Sequence, residues 1–339
     1  MNVLSAKRML LTAVGAVAFA GSAHAIDISG AGATFPYPVY SKWADAYKQQ
    51  TGVGLNYQSI GSGGGIKQIK AKTVTFGASD MPLEAKDLQQ AGLVQFPMII
   101  GGVVPVVNVK GVSGGQMVLD GATVAAIYLG EITKWNDSRI RKANPKLALP
   151  ATAIAPVYRS DGSGTNFLFS NYLSSAYPKF LSTIGANTSV QWPVGIGAKG
   201  NEGVANMTAQ TDGAIGYVEY AYAKQNKMAY VDLVNAAGNA VAPNAESFQA
   251  AAANADWAHA PGYHLILTNQ PGAKSWPITG ASFILLYSTP PDPAATATAL
   301  KFFDWAYKNG GKMAADLDYV PLPDSLIKLV RATWKAEIK

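Results

Sequence analysis

Small hydroxyl residues set in glycine-rich loops are the most visible chemistry in this sequence. Thr34 lies in Gly30-Ala31-Gly32-Ala33-Thr34-Phe35, Ser62 in Gly61-Ser62-Gly63-Gly64-Gly65, and Ser163 and Thr165 in Asp161-Gly162-Ser163-Gly164-Thr165. Each loop falls between a strand-like run and an expected helix. A helix N-terminus has unpaired N–H donors and partial positive charge, so it suits an anion. Glycine lets a ligand approach the backbone, and Ser or Thr adds a hydroxyl donor. Taken singly, each loop reads more simply as a helix N-cap; three together point to an anion, although the sequence does not bring them together in space. Arg159 stands two residues before Asp161 and four before Ser163. Its guanidinium offers paired donors to an oxyanion, and the neighbouring carboxylate can hold it in place. The plainer alternative is a surface ion pair of little consequence.

Much other chemistry is excluded by composition. There are 0 Cys and 3 His, so a zinc site, a thiol nucleophile or a Ser-His-Asp triad would rest on His259 and His264 once the N-terminal segment is removed. Neither has an obvious ligand cluster in sequence, and both read as ordinary histidines. Gly195-Ile196-Gly197-Ala198-Lys199-Gly200 matches the dinucleotide fingerprint literally. Trp192-Pro193-Val194 before it is a poor first strand, so the stretch is read as a loop. No phosphate-binding P-loop and no Gly-x-Ser-x-Gly elbow occurs.

The elements that must position these loops alternate between strand and helix, which indicates α/β architecture. A helix is expected from Pro36, with Val39, Tyr40, Trp43 and Tyr47 on one face and Gly52 as its stop. Strands are expected at Leu55–Ser59, Thr75–Asp80, Ala214–Val218 and Ser282–Tyr287. Helices are expected at about Ile66–Ala71, from Pro82 to Gln90, after Thr165, and near 294–308 and 324–338. Phe96–Val109 reads as a long buried strand that could cross between domains. Asn235–Ala255 is rich in Ala and Asn, and there is no internal repeat.

The N-terminus decides the compartment. Lys7 and Arg8, the apolar run Met9–Ala20 and the small-x-small site Ala23-His24-Ala25 describe a secretory signal cut after Ala25. The run is short of the ~20 residues a bilayer requires. The remaining chain exceeds one ordinary core and suggests two domains. The formal net charge of +6 is scattered, so it favours a small anion and does not call for nucleic acid.

The loops resemble those of the periplasmic phosphate-binding receptors of bacterial phosphate ABC importers. The matching stretches are Gly30–Pro36, Lys42-Trp43-Ala44-Asp45, Gly77-Ala78-Ser79-Asp80, Ile127–Gly130, Asp161–Thr165, Gly213–Tyr220 and Lys301–Tyr307. The resemblance implies an α/β, two-lobed type II periplasmic binding protein with a strand hinge and the ligand in the inter-lobe cleft. Residues 1–25 would be the signal peptide, 26–105 with 275–339 lobe one, and 106–274 lobe two, with crossings near Val103–Val109 and Thr268–Ile278. It implies phosphate contacts from Thr34, the backbone of Phe35, Ser62, Asp80, Arg159, Ser163, Gly164 and Thr165, with Asp161 orienting Arg159. One departure is visible. The family pattern is Ser-Ser-Gly-Gly, whereas Ser62 is followed by Gly63, which suggests a looser turn.

Asp80 is the informative assignment, because phosphate keeps a proton near neutral pH and sulfate does not. A carboxylate can accept that proton in a hydrogen bond and would repel sulfate. Without the resemblance, Asp80 reads equally as a helix N-cap before Met81-Pro82. The expected partners are inorganic phosphate and the permease subunits at the inner membrane. The protein is expected to be a periplasmic monomer, without cofactor, nucleic acid or enzymatic activity. The rival readings are a sulfate receptor, a secreted phosphatase using Ser62 or Ser163 as nucleophile, and an adhesive protein that kept the fold and lost the site.

Overall fold

The computed structural model describes residues 27–339; the expected signal segment lies outside them. In the first part, β1 (Ile28–Gly32), α1 (Tyr37–Thr51), β2 (Leu55–Ser59), α2 (Ser62–Lys70), β3 (Phe76–Ser79) and α3 (Ala85–Ala91) lead into β4 (Leu93–Val107). The middle holds β5 (Val118–Leu119), α4 (Gly121–Tyr128), α5 (Ser138–Ala143), β6 (Ala155–Arg159), α6 (Gly164–Ala176) and α7 (Pro178–Thr183). It continues with β7 (Ile196–Ala198), α8 (Gly200–Gln210), β8 (Ala214–Glu219), α9 (Tyr220–Gln225), β9 (Ala229–Tyr230), β10 (Asp232–Val234), β11 (Ala240–Val241) and α10 (Ala245–Ala252). The chain ends in β12 (Thr279–Tyr287), α11 (Pro293–Asn309), α12 (Gly311–Ala315) and α13 (Asp324–Glu337).

One sheet runs in the order β2-β1-β3-β12-β4-β8-β6-β7, with β9 beside β4. The architecture is α/β and two-lobed, and β4 explains both halves. Its residues up to Gly102 pair antiparallel with β12, and Val103–Val107 pair antiparallel with β8. All 15 of its residues are buried, as its nearly unbroken apolar sequence requires of a strand covered on both faces. Gly101 and Gly102 are needed there. A Cβ at Gly102 would stand 2.1 Å from the Phe248 ring, and one at Gly101 2.9 Å from Phe35. Where β4 carries Pro97, which has no N–H for the ladder, the register of β12 shifts between Ser282 and Phe283. That irregularity sits next to the site described below.

Aromatic side chains fill both halves. Tyr40, Trp43 and Tyr47 lie on one buried face of α1, and Phe76 packs edge-on against Phe303, which does the same against Phe96. In the other half Phe169 stacks on Tyr217 at 4.0 Å between ring centroids. Gly52, at φ 77°, closes α1 in the left-handed conformation expected of it.

Two expectations fail. Gly61–Gly65 is not a turn before a helix that starts at Ile66: α2 begins at Ser62, so the glycines form its first turn and the looser turn is absent. A Cβ at Gly65 would lie 2.5 Å from Gly32 Cα and 2.6 Å from the Ala31 carbonyl oxygen, so α2 sits closer to β1 than any side chain permits. Likewise Ile196–Gly200 is not a loop. β7 adds a parallel edge strand to β6, and Gly200, at φ 74°, opens α8. No first strand precedes the fingerprint; its own middle residues make the strand. His259 is exposed and pairs with Asp256 at 2.8 Å. No helix among the described residues is long and apolar enough to cross a membrane.

Candidate functional site

The parallel strands β1, β3 and β6 end on the same side as the starts of α2, α6 and α8, which face one another across the two halves. That is where ligands lodge in open α/β sheets. Ser62 Oγ accepts from the Asp80 N–H at 3.1 Å and from the Gly164 N–H at 3.0 Å, so one hydroxyl ties the end of β3 to the start of α6. It also lies 3.5 Å from Asp80 Oδ2. Gly63 N–H donates to the Gly162 carbonyl at 2.8 Å. The first turn of α2 therefore touches the loop before α6 through backbone alone, which the glycines at both places allow.

Arg159 ends β6 with its backbone N–H donated to the Tyr217 hydroxyl at 3.0 Å, and that hydroxyl donates to Asn166 Oδ1 at 2.6 Å. Its side chain meets Asp161 through Nε at 2.8 Å and Nη2 at 2.6 Å. The Gly200 N–H adds a third donor to Asp161 at 3.0 Å. Burial pulls the Asp161 carboxyl upward, but these bonds and the Arg159 charge outweigh it and hold it below the usual range. This is a buried, bidentate pair and not the surface alternative. It also leaves Arg159 Nη1 buried without any partner.

Asp80 is 1% exposed and does not cap a helix, because the N-cap of α3 is Glu84. Burial raises its carboxyl to about 7, against the lowering effects of the Ser282 hydroxyl, the Arg159 charge and Ser62. Ser282 comes from the irregular point of β12, yet neither its Oγ nor Asp80 Oδ1 has a partner at hydrogen-bond geometry. Two ionisable groups thus each keep one unused polar atom in the same site. One is a guanidinium N–H that can only donate, and the other a carboxyl oxygen that can accept. Leaving either buried and unpaired costs roughly 1–3 kcal/mol.

The remaining expected residues join this set. Ser163 is indeed an N-cap, accepting from the Asn166 N–H at 3.0 Å. Thr34 caps nothing, since α1 starts from Pro36 without a side-chain cap. Thr34 Oγ1 instead accepts from Asn201 Nδ2 at 2.6 Å, and Thr165 Oγ1 accepts from the same nitrogen at 3.1 Å. Phe35 is fully buried, and its carbonyl accepts from the Tyr319 hydroxyl at 2.6 Å. All nine residues lie in one connected cluster. Asn201, Ser282, Tyr319 and Glu219 join the site without having been expected there. Asn201 directly follows the glycine stretch read as a loop, Glu219 lies in the matching stretch Gly213–Tyr220 and Ser282 in an expected strand, but nothing local marked any of them as part of the site. Among the described residues no group of three or more His, Cys, Asp or Glu side chains could hold a metal ion.

Fold and site together define a periplasmic-type solute-binding protein, and a model of the PBP superfamily domain matches residues 18–309. The phosphate-binding protein PstS of Pasteurella multocida is 54% identical over 333 residues, covering 98% of this chain and 97% of that one. That of Xylella fastidiosa is 55% identical over 314 residues, covering 93% and 86%. The solved phosphate-binding protein from Stenotrophomonas maltophilia superposes with a TM-score of 0.69 at 22% identity, covering 91% and 93%, and shares the fold. The chain belongs to the PBP superfamily and, within it, to the PstS family of phosphate-binding proteins.

Proposed function

We propose that this chain captures inorganic phosphate in the periplasm and delivers it to the permease subunits of an ABC-type importer, without making or breaking a bond. The observation that carries the reading is the pair of buried, unpartnered atoms, Arg159 Nη1 and Asp80 Oδ1. A ligand that satisfies both must accept one hydrogen bond and donate another. Among tetrahedral oxyanions, a protonated phosphate does so and sulfate does not. The relatives above are named as phosphate-binding proteins, which supports the same ligand.

In this reading Arg159, held by Asp161, neutralises the anion. Thr34, Ser62, Ser163 and Thr165 supply hydroxyls, and the backbones of Phe35 and Gly164 supply N–H groups. Asp80 accepts the ligand's proton. The lobe formed by 26–105 and 275–339 closes on the lobe formed by 106–274, excluding water and strengthening each charge-assisted bond. The chain acts as an exported monomer, its signal cut after Ala25. A phosphatase would need Ser62 or Ser163 free to attack, and although Asp80 Oδ2 lies 3.5 Å from Ser62 Oγ, neither hydroxyl is free. Ser62 Oγ instead accepts two backbone N–H groups and Ser163 caps α6, so neither is set up as a nucleophile.

Calorimetric titration of the mature chain with phosphate is expected to show one site per chain, and Arg159→Ala to abolish it. A wild-type chain that gives no phosphate heat at any accessible concentration contradicts the assignment.

A further inference from the structure

Asn201 belongs to α8 and is completely buried, yet nothing in its sequence setting marks it. Its amide orientation is set from outside the site. The Glu219 backbone N–H lies 2.9 Å from Oδ1, and an N–H can only donate, so that atom is the oxygen and Nδ2 faces the other way. The two hydrogens of Nδ2 go to Thr34 Oγ1 at 2.6 Å and Thr165 Oγ1 at 3.1 Å. The Asn201 backbone N–H adds a second donor to Thr34 Oγ1 at 3.3 Å. A hydroxyl has two lone pairs and one proton. Both lone pairs of Thr34 are engaged, so that hydroxyl can act only as a donor, and Thr165 is biased the same way.

From this we infer that Asn201 is a positioning and specificity-determining residue: it makes the Thr34 hydroxyl an obligate donor toward the ligand, biases Thr165 the same way and couples their placement to closure, because it bridges segments from opposite sides of the cleft. The inference rests on the phosphate reading and deepens it. With Thr34 able only to donate, the oxygen facing it must be unprotonated, and Thr165, with one lone pair taken, favours an unprotonated oxygen as well. With Asp80 able to accept, the proton must sit on the oxygen facing Asp80. The site then selects a singly protonated face arrangement as well as a tetrahedral anion, and Asn201 enforces the half of that pattern which Asp80 cannot.

The test is a mutant cycle read by phosphate calorimetry. Asn201→Leu removes both donors at similar volume and is expected to weaken phosphate binding by about 10- to 100-fold. Asn201→Asp keeps the Oδ1 acceptor but replaces Nδ2 with an oxygen that takes the hydroxyl protons, and is expected to weaken binding further. In a Thr34→Val/Thr165→Val background Asn201→Leu should cost less than about 2-fold, because the hydroxyls it acts through are gone, whereas Asn201→Asp keeps the like-charge cost of its carboxylate beside the anion. A purely architectural role would instead give the same loss in both backgrounds, and that additivity would overturn the inference. Should the Leu variant not fold, the uncharged Asn201→Ala carries the cycle. A wild type that binds no phosphate overturns the ligand reading itself, whereas phosphate binding with an additive cycle overturns only the role of Asn201.

Discussion

At the scale of residues, selection turns on protons. Asp80 is pushed up to about 7 by burial, above an ordinary carboxyl near 4. A carboxyl whose folded value is raised holds its proton in the folded chain while the unfolded chain has lost it. Its contribution is fully present below about pH 4 and is lost as pH rises through about 7. The ligand-free protein is therefore expected to lose up to about 4 kcal/mol of stability across that window on account of Asp80. Asp80→Asn should flatten this part of the profile; denaturant titrations from pH 4 to 8 check it, and parallel profiles for the two proteins would contradict it. The same titration makes a neutral Asp80 a donor in acid, so discrimination against sulfate should weaken below about pH 7. Of this site, Thr34, Ser62, Arg159 and Ser163-Gly164-Thr165 were legible because hydroxyls and a guanidinium beside helix starts have a local signature. Asp80 needed the family resemblance, since one Asp after a strand is also what an N-cap looks like. Asn201 and Ser282 were illegible because their roles depend on partners in other segments of the chain, Thr34 standing 167 residues from Asn201.

At the scale of elements, close backbone approach and buried polar bridges position the loops. Gly65 lets α2 rest on β1 and β3, with a Cβ there meeting only backbone atoms within 2.8 Å. Gly65→Ala is expected to cost about 1–3 kcal/mol by such overpacking and to weaken ligand binding by displacing Ser62; a thermal melt together with calorimetry checks both. Tyr319 holds the other loop. Its hydroxyl lies 2.6 Å from the Phe35 carbonyl and 2.7 Å from Glu219 Oε2. One hydroxyl proton cannot serve both, and a carbonyl only accepts, so Glu219 must supply the second proton. Burial, the leading influence, indeed raises its carboxyl well above the usual range. Tyr319→Phe takes this hydroxyl from the Phe35 carbonyl and leaves Glu219 Oε2 with only the Ala221 N–H at 2.9 Å, and should cost about 1–3 kcal/mol in chemical denaturation; an unchanged midpoint would contradict the bridge. Strands and helices with strong periodicity, such as α1 and β4, were readable from sequence because burial imposes their pattern. The first turn of α2 was not, because glycine's low helix propensity is overridden there by packing that only glycine permits.

At the scale of the whole molecule, β4 makes one sheet of two lobes, and the halves meet where Gly63 and Gly162 touch. A Cβ at Gly162 would lie 3.1 Å from Gly63 Cα. Gly162→Val should therefore hold the halves apart without touching either core. Phosphate binding is expected to fall by at least about 10-fold while the melting temperature moves little. Small-angle scattering with phosphate present should show a larger radius than the wild type, and full affinity in this variant would contradict closure as a requirement. The two-lobed plan could be read from the alternating strands and helices only together with the resemblance, since periodicity does not say which strands share a sheet.

A buried acceptor, Asp80, makes a ligand's proton the basis of selection. Competition calorimetry at pH 8, phosphate against sulfate, on the wild type and Asp80→Asn is the decisive measurement. The wild type is expected to bind phosphate and exclude sulfate by several orders of magnitude, and the Asn variant, whose amide can donate, to admit sulfate. Sulfate bound by the wild type at comparable strength, or selectivity unchanged in the variant, would contradict it.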